Sequence, residues 1–166
     1  MHLEAPRVAE GIIEIWTDGA ALPTNPGPGG WAYIVRLGDR QREGQGSVKG
    51  PVSNIQMEME AVVRALRSLK KHDLPVVVYS DLEMISRGMN EWRETWIARG
   101  WRNAAGKPVA NRDRWEAISE LASRCRMGVT FRWVRGHSGE KLNERVDELA
   151  NSAAAKAALE RLTLPV

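Results

Sequence analysis

Three strand-like segments follow one another near the start of the chain, and a helical segment precedes each later one. The early segments, at 12–16, 30–38 and 41–48, are joined closely enough to form an antiparallel meander. Apolar periodicity then predicts, in chain order, a helix from the N-cap Ser53 to about residue 71, a strand at 76–80, helices from about 82 to 88, over 90–98 and over 115–126, a strand at 128–134, and a helix over 143–159. This order favours an α/β fold in which helices pack on one mixed sheet.

The length and composition indicate one ordinary globular domain. The 166 residues suffice for a substantial core, so we expect a single domain over 11–166 after a loose N-terminal extension at 1–10. An irregular excursion at about 90–112 is too short to be a separate domain. The net charge of +3 is compatible with a polyanionic partner but does not require one.

Cys125 is the only cysteine, which excludes an internal disulfide and favours a reducing cytoplasmic location. We also expect no membrane association, because no apolar run approaches the length of a membrane span.

Four acidic residues occupy unusual places in the pattern. Asp18 is expected to end the first strand, Asp81 follows the strand at 76–80, Glu58 lies beside the apolar stripe of the first long helix, and Asp147 lies early in the last helix. Ligand sites gather at the carboxyl ends of parallel strands, so Asp18 and Asp81 would meet if their strands are adjacent and parallel. A cluster of carboxylates needs cations, and all-oxygen ligands suit Mg²⁺ or Mn²⁺.

Each acid also has a simpler interpretation when it is taken alone. Asp18 before Gly19 is a common turn former, and Asp81 is placed to cap the following helix. Glu58 would be a solvated helix residue, and Asp147 a charge favoured by the helix dipole. The functional interpretation depends on the four acids together.

The segment after Asp18 is rich in glycine and proline, and we expect it to form a loop. A glycine-rich loop after a strand often cradles phosphate, but no Gly-Lys-Ser/Thr follows here, which disfavours mononucleotide binding. A carboxylate at the mouth of the loop would instead hold a metal ion between itself and a phosphate.

Five stretches, taken together, resemble ribonuclease H type 1 of the bacterial kind: TDGAALPTNPGPGGWAYIV, SNIQMEMEAVVRAL, VVVYSDLEMISRGM, GWRNAAGKPVANRDRW and WVRGHSGEKLNERVDELA. The resemblance runs from about residue 12 to 155. It implies a ribonuclease H-like fold with a five-stranded mixed sheet, in which three antiparallel strands precede parallel ones and helices flank both. It also implies a metal-dependent endonuclease that cuts the RNA strand of RNA–DNA hybrids and works as a monomer.

Carried over residue by residue, the resemblance assigns catalysis to Asp18, Glu58, Asp81 and Asp147, with His137 as a mobile loop histidine. The acids would hold two Mg²⁺ ions about 3.5–4 Å apart, with Mn²⁺ as a substitute. Asp18 would be the shared ligand, and Glu58 would also contact a ribose 2′-OH. The near-neutral pKa of a histidine suits His137 to proton shuttling or product release. The products would carry 5′-phosphate and 3′-hydroxyl ends.

The resemblance also assigns substrate contacts. Asn25 and Asn54 would contact the minor groove, Ser53 and Asn111 would form a pocket for a DNA phosphate, and Trp92 would line the channel for the DNA strand. Each has an ordinary alternative as a turn residue, helix cap or packing aromatic.

The excursion corresponds to a basic protrusion that grips the hybrid. Residues 90–115 carry six basic and three acidic side chains, an excess equal to the net charge of the chain. Phosphate contacts from this segment would make binding salt-sensitive.

The chain departs from the family pattern at Ile55, Gln56, Met84, Ile97 and Ala98. These positions usually hold polar, basic or aromatic residues, so we expect weaker or more salt-sensitive hybrid binding than in a typical relative. Two other functions stay open at this point: a recombination nuclease of the same superfamily, and a hybrid-binding protein without catalysis. A nucleotide-binding α/β protein is disfavoured by the missing phosphate-loop lysine.

Overall fold

The computed structural model describes residues 11–136 and 140–163. The described strands are β1 (Ile13–Ala21), β2 (Gly27–Leu37), β3 (Arg40–Val52), β4 (Val76–Ser80) and β5 (Val129–Trp133). The helices are α1 (Asn54–Arg67), α2 (Glu83–Arg87), α3 (Arg93–Ala98), α4 (Arg112–Ser123) and α5 (Lys141–Thr163), and a π-helical turn (Gly88–Trp92) joins α2 to α3. The order of elements is the one that the sequence pattern predicts.

The described strands form one five-stranded mixed sheet in the order β3-β2-β1-β4-β5. The pairs β1–β2 and β2–β3 are antiparallel, whereas β4 pairs in parallel with β1 and with β5. The expected mixed sheet, antiparallel and then parallel, is confirmed. Parallel pairing requires a crossover connection, which α1 supplies between β3 and β4.

Helices cover the two faces of the sheet and enclose two cores. On one face, β-branched residues of β1, β4 and β5 pack against the apolar stripe of α1 and against Trp115 and Ile118 of α4. On the other face, Trp16 and Ile34 pack against Val146 and Ala150 of α5. The sheet is therefore the middle of three layers, with helices on both of its faces.

Helix α1 begins at the predicted cap. The hydroxyl of Ser53 accepts a hydrogen bond from the backbone N–H of Gln56, and the Gln56 side chain accepts one from the Ser53 N–H. This reciprocal pair satisfies two of the donors that the first turn of a helix leaves free. The helix ends at Arg67, four residues before the expected end.

The expected loop after Asp18 is wrong in extent. Strand β1 continues to Ala21, so Asp18 lies inside the strand rather than at its end, and β2 already begins at Gly27. Gly29 and Gly30 pair with Ala21 and Ala20, and a Cβ on Gly29 would crowd the Val52 side chain.

A Cβ on Gly30 would collide with the backbone of α5 at Ala150 and Ala154. The glycines therefore allow close packing of strand on helix, and the true loop is the short segment 22–26.

The tryptophans of the excursion form a small cluster on the side of the molecule. Trp96 lies at its centre, with ring centroids 5.7, 6.2 and 5.0 Å from those of Trp92, Trp101 and Trp115. Trp115 is fully buried, while the other three are partly exposed. The segment between α3 and α4 is irregular, as expected.

No helix among the described residues is long and apolar enough to cross a membrane.

Candidate metal-binding active site

The register of two parallel strands brings Asp18 and Asp81 to the same level. The paired residues of β1 and β4 are 63 positions apart, as Ile13 and Val76 are, and pairing runs as far as Trp16 and Tyr79. The same offset sets Asp18 level with Asp81. Since β4 ends at Ser80, β1 extends past its neighbour, and a notch opens beside Asp18 where both carboxylates lie.

Glu58 reaches this notch because α1 crosses β1 at Gly19. A Cβ on Gly19 would overlap the backbone of Met57 and Glu58, so only glycine permits the approach. Glu58 is 8% exposed, and its Oε2 atom is buried without a hydrogen-bond partner within the described residues. The alternative interpretation of Glu58 as a solvated helix residue is therefore wrong.

Three acids form one cluster, and the fourth lies beside it. One carboxylate oxygen from each of Asp18, Glu58 and Asp81 lies within 4.8 Å of the other two. Asp147, half-buried early in α5, is close enough to Asp18 to raise its pKa. The N-cap residue of α2 is Leu82, not Asp81, and no side chain caps that helix within the described residues.

The cluster is strongly perturbed in the metal-free protein. Burial, reinforced by the charge of Asp81, raises the pKa of Asp18 to about 7. Burial and the nearby Asp18 charge raise the pKa of Glu58 well above its usual range. The backbone N–H of Gly19 donates to Asp18 Oδ1 at 2.9 Å, which favours the charged form in opposition. The two buried acids therefore bind protons more readily than exposed carboxylates do, and a cation that binds the cluster competes with those protons.

The donor set fits a hard divalent cation. Among the described residues it consists of carboxylate oxygens alone, and Glu58 Oε2 is a buried acceptor that has no partner there and to which a metal ion would supply one. A structural ion pair would have needed a basic side chain at this place.

Four of the five predicted substrate residues lie together at the start of α1. The backbone N–H of Asn54 donates to Asn25 Oδ1 at 3.0 Å, and Asn54 Oδ1 accepts from the Ala21 N–H at 2.7 Å. Gln56, beside Ser53, donates through Nε2 to Asn111 Oδ1 at 3.4 Å. These bonds also hold the loop 22–26 and the start of α4 in place, so structural and binding roles are compatible.

Trp92 lies apart from this group, on the π-helical turn. The Arg87 guanidinium lies 5.4 Å from the centre of its ring. Three cationic side chains predicted for the protrusion are exposed, namely Arg99, Arg102 and Lys107. His137 lies outside the described residues, so its predicted role is untested.

Two residues near the cluster were missed by reasoning from the sequence. The Trp133 indole Nε1–H donates to the backbone carbonyl of Asp81 at 3.0 Å. A Cβ on Gly136 would lie 3.3 Å from Asp81 Oδ2, so the chain after β5 passes beside this carboxylate. Both lie in the stretch WVRGHSGEKLNERVDELA that carries the resemblance, but neither was assigned a role, because a tryptophan at the end of a strand is ordinarily a packing residue.

A mixed sheet that carries buried carboxylates at the shared end of two parallel strands is compatible with the class of nucleases that depend on metal ions. Comparisons with known proteins narrow this class. The sequence model of the family described as RNase H matches residues 10–155. The ribonuclease H of Chromobacterium violaceum is 44% identical over 142 residues, which cover 86% of this chain and 94% of that protein.

Solved structures agree with the sequence comparison. LC9-RNase H1, a type 1 RNase H with the type 2 active-site motif, has a TM-score of 0.76 at 27% identity, over 89% of this chain and 74% of that one. LC11-RNase H1, solved in complex with an RNA/DNA hybrid, has a TM-score of 0.66 at 27% identity, over 88% and 99%. The chain belongs to the ribonuclease H family, which hydrolyses the RNA strand of RNA–DNA hybrids.

Proposed function

We propose that this chain is an endonuclease that uses Mg²⁺ held by Asp18, Glu58, Asp81 and Asp147, and that it leaves 5′-phosphate and 3′-hydroxyl ends. The observation that carries the proposal is the cluster itself: three carboxylate oxygens lie within 4.8 Å of one another, and one buried acceptor has no partner in the described part of the chain. Mn²⁺ offers the same preference for oxygen and would substitute. All four acids come from one chain, which supports a monomeric enzyme.

Bound divalent ions supply two things in phosphodiester hydrolysis: a lowered pKa for the attacking water and stabilisation of charge on the leaving oxygen. The residues of the chain would position the metal ions and supply the negative charge that binds them. Asp18, at the centre of the cluster, is the proposed shared ligand. Asp81 and Asp147 are proposed to complete the coordination around it, and Glu58 is proposed to hold metal from α1. His137 is the proposed proton carrier, which would act after the reaction by protonating the product or assisting its release.

We propose that the hybrid binds along the start of α1, with its scissile phosphate at the cluster. Asn25 and Asn54 lie on this surface and are exposed, which suits them to minor-groove contacts. Ser53 and Asn111 flank Gln56 and would receive a phosphate of the DNA strand. The complex of LC11-RNase H1 with an RNA/DNA hybrid supports this class of substrate.

Recognition of ribose would use the 2′-OH, which distinguishes RNA from DNA at a given place. Glu58 is the proposed contact for it, and Trp92 is proposed to lie along the DNA strand. Both belong to one catalytic domain that begins near residue 11, with the protrusion as part of it.

The test is cleavage of a hybrid with each strand labelled in turn, in Mg²⁺ and in EDTA, by the wild type, Asp81→Asn and Glu83→Gln. We expect metal-dependent internal cuts in the RNA strand alone. Asp81→Asn should lower the rate by at least about 100-fold, because it removes a metal ligand and its charge. The control, Glu83→Gln, removes an exposed acid two residues away and should cut at the wild-type rate.

Two results would overturn the proposal. A wild type that binds the hybrid but does not cut it in Mg²⁺ or Mn²⁺ would make the chain a binding protein. Equal cutting of DNA–DNA duplexes would make it a nuclease of another specificity.

A further inference from the structure

Trp133 combines wide exposure with a specific hydrogen bond. It is the last residue of β5, an edge strand, and it is 50% exposed. A large aromatic side chain gains little from burial in such a place. Its indole N–H nevertheless donates at 3.0 Å to the backbone carbonyl of Asp81. The hydrogen bond therefore gives the Trp133 side chain a specific interaction that does not depend on burial.

The bond acts where regular sheet pairing stops. The paired residues of β4 and β5 end at Ser80 and Trp133, and the next link is the Val134 N–H to the Ser80 carbonyl at 2.9 Å. Asp81 lies one residue beyond that ladder. The Trp133 indole therefore extends the attachment of β4 to β5 by one peptide, at the residue whose carboxylate belongs to the cluster.

The chain after Trp133 also lies against this carboxylate, since a Cβ on Gly136 would come within 3.3 Å of Asp81 Oδ2. Trp133 thus bonds the backbone carbonyl of Asp81, and the chain at Gly136 passes beside its carboxylate. Carboxylates that repel one another need such support to stay converged before a cation binds.

We propose that Trp133 is a positioning residue: its indole N–H fixes the peptide of Asp81 so that the carboxylate is held ready to bind metal. The inference rests on the proposed metal-binding role of Asp81. Trp133 itself touches neither metal nor reacting atoms. Loss of a group that orients a metal ligand typically costs about 10-fold to 100-fold in metal affinity, and the exposed position of Trp133 favours the lower end of this range.

The experiment measures Mn²⁺ binding to the full chain by calorimetry, without nucleic acid, for the wild type and three variants. Trp133→Phe removes the donor and keeps a ring. Trp133→His restores a ring N–H, because imidazole Nε2 occupies the same ring position as indole Nε1. The control, Trp31→Phe, makes the same change at a partly exposed tryptophan of β2 that stacks on Tyr33 and lies under Arg64. Urea unfolding of each variant measures stability separately.

We expect Trp133→Phe to weaken Mn²⁺ binding about 10-fold with nearly unchanged unfolding, and Trp133→His to recover to within about 3-fold of the wild type at pH 8. Trp31→Phe should bind as the wild type does. If Trp133→Phe binds Mn²⁺ with wild-type affinity, the positioning role is wrong. The same holds if both Trp133 variants weaken binding only in proportion to lost stability.

Cleavage assays of these variants distinguish the two proposals. A wild type that binds Mn²⁺ at the cluster but does not cut a hybrid would overturn the proposed function and leave the role of Trp133 intact. A wild type that cuts, with Trp133→Phe needing no more metal than it, would overturn the positioning role alone.

Discussion

The burial of Asp18 makes the stability of the folded protein depend on pH. In the unfolded chain Asp18 loses its proton near its ordinary pKa of 3.8, whereas in the folded, metal-free protein it keeps the proton until about pH 7. Between these values the folded state binds more protons than the unfolded state, so stability falls as pH rises. The raised pKa of Glu58 acts in the same direction.

We therefore predict that, in EDTA, the free energy of unfolding falls between pH 4 and pH 8, with a contribution from Asp18 of up to about 4 kcal/mol. Urea unfolding across this range would measure it. Asp18→Asn should flatten the fall, since the titrating group is gone, and Mg²⁺ should restore stability to the wild type at pH 8. A difference between wild type and Asp18→Asn that does not change with pH would contradict the explanation.

For single residues, the sequence predicts which acids come together, but it does not predict the contacts that position them. Asp18 and Asp81 could be paired in advance because each follows an apolar strand run, and the expectation that they meet is confirmed. The depth of Glu58 depends on how close α1 approaches Gly19, and the bond from Trp133 depends on where β5 ends. The burial of Glu58 and the bond from Trp133 arise from tertiary packing, which the spacing of apolar residues in the sequence does not predict.

The contact between β2 and α5 offers a test of why the glycines are there. Gly30→Ala should destabilise the protein by about 1–3 kcal/mol, because its Cβ would meet the backbone of Ala150 and Ala154 rather than a flexible side chain. Thermal or urea unfolding measures the loss. Gly38→Asn is the matched control, at a turn with φ 61° and open space around it. Asparagine accepts this conformation, so the change should cost less than about 1 kcal/mol.

If Gly30→Ala leaves stability unchanged, the close approach of strand and helix does not require glycine, and the interpretation of this segment fails.

At the scale of helices and strands, the sequence correctly predicts features that depend on neighbouring residues, such as a helix cap. Ser53 was expected to cap α1 and does so through a reciprocal pair with Gln56. The extent of β1 and β2 was wrong because glycine and proline ordinarily indicate a loop, whereas here Gly27, Gly29 and Gly30 lie in a strand pressed between other elements. Composition alone cannot separate a glycine that permits a turn from one that permits contact.

For the whole molecule, the distribution of charge predicts how binding responds to salt. The double variant Arg99→Gln/Lys107→Gln removes two exposed cations of the protrusion. If both contact phosphates, it should lower the slope of log Kd against log salt concentration by up to about 1.8, since each contact contributes about 0.9 in duplex DNA. Fluorescence anisotropy of a labelled hybrid in EDTA would measure the slope.

The control for this experiment is Arg67→Gln/Lys156→Gln, which makes the same change in net charge at exposed positions on α1 and α5. Arg67 is the last residue of α1, at the opposite end of that helix from the proposed hybrid-binding surface. Equal slopes for the two double variants would mean that the overall charge, and not the protrusion, attracts the hybrid.

The mixed sheet and the order of its elements could be predicted at this scale, because three early strands and alternating later elements leave few arrangements. The three-layer packing that buries the cluster could be inferred only in outline. The distances between carboxylates follow from the length by which β1 extends past β4, and a shift of one residue in either strand would have moved an acid out of the notch.

The acids of the cluster reach it from β1, α1 and the end of β4, positions 18, 58 and 81. No shorter piece of the fold gathers them, so in a partly folded chain each is an ordinary solvated carboxylate with little affinity for metal. Metal binding by the cluster therefore requires β1, α1 and β4 to be packed together and does not grow in proportion to the amount of structure formed. A chain that is still being synthesised, or one that has begun to unfold, should therefore not cut the RNA strand of a hybrid.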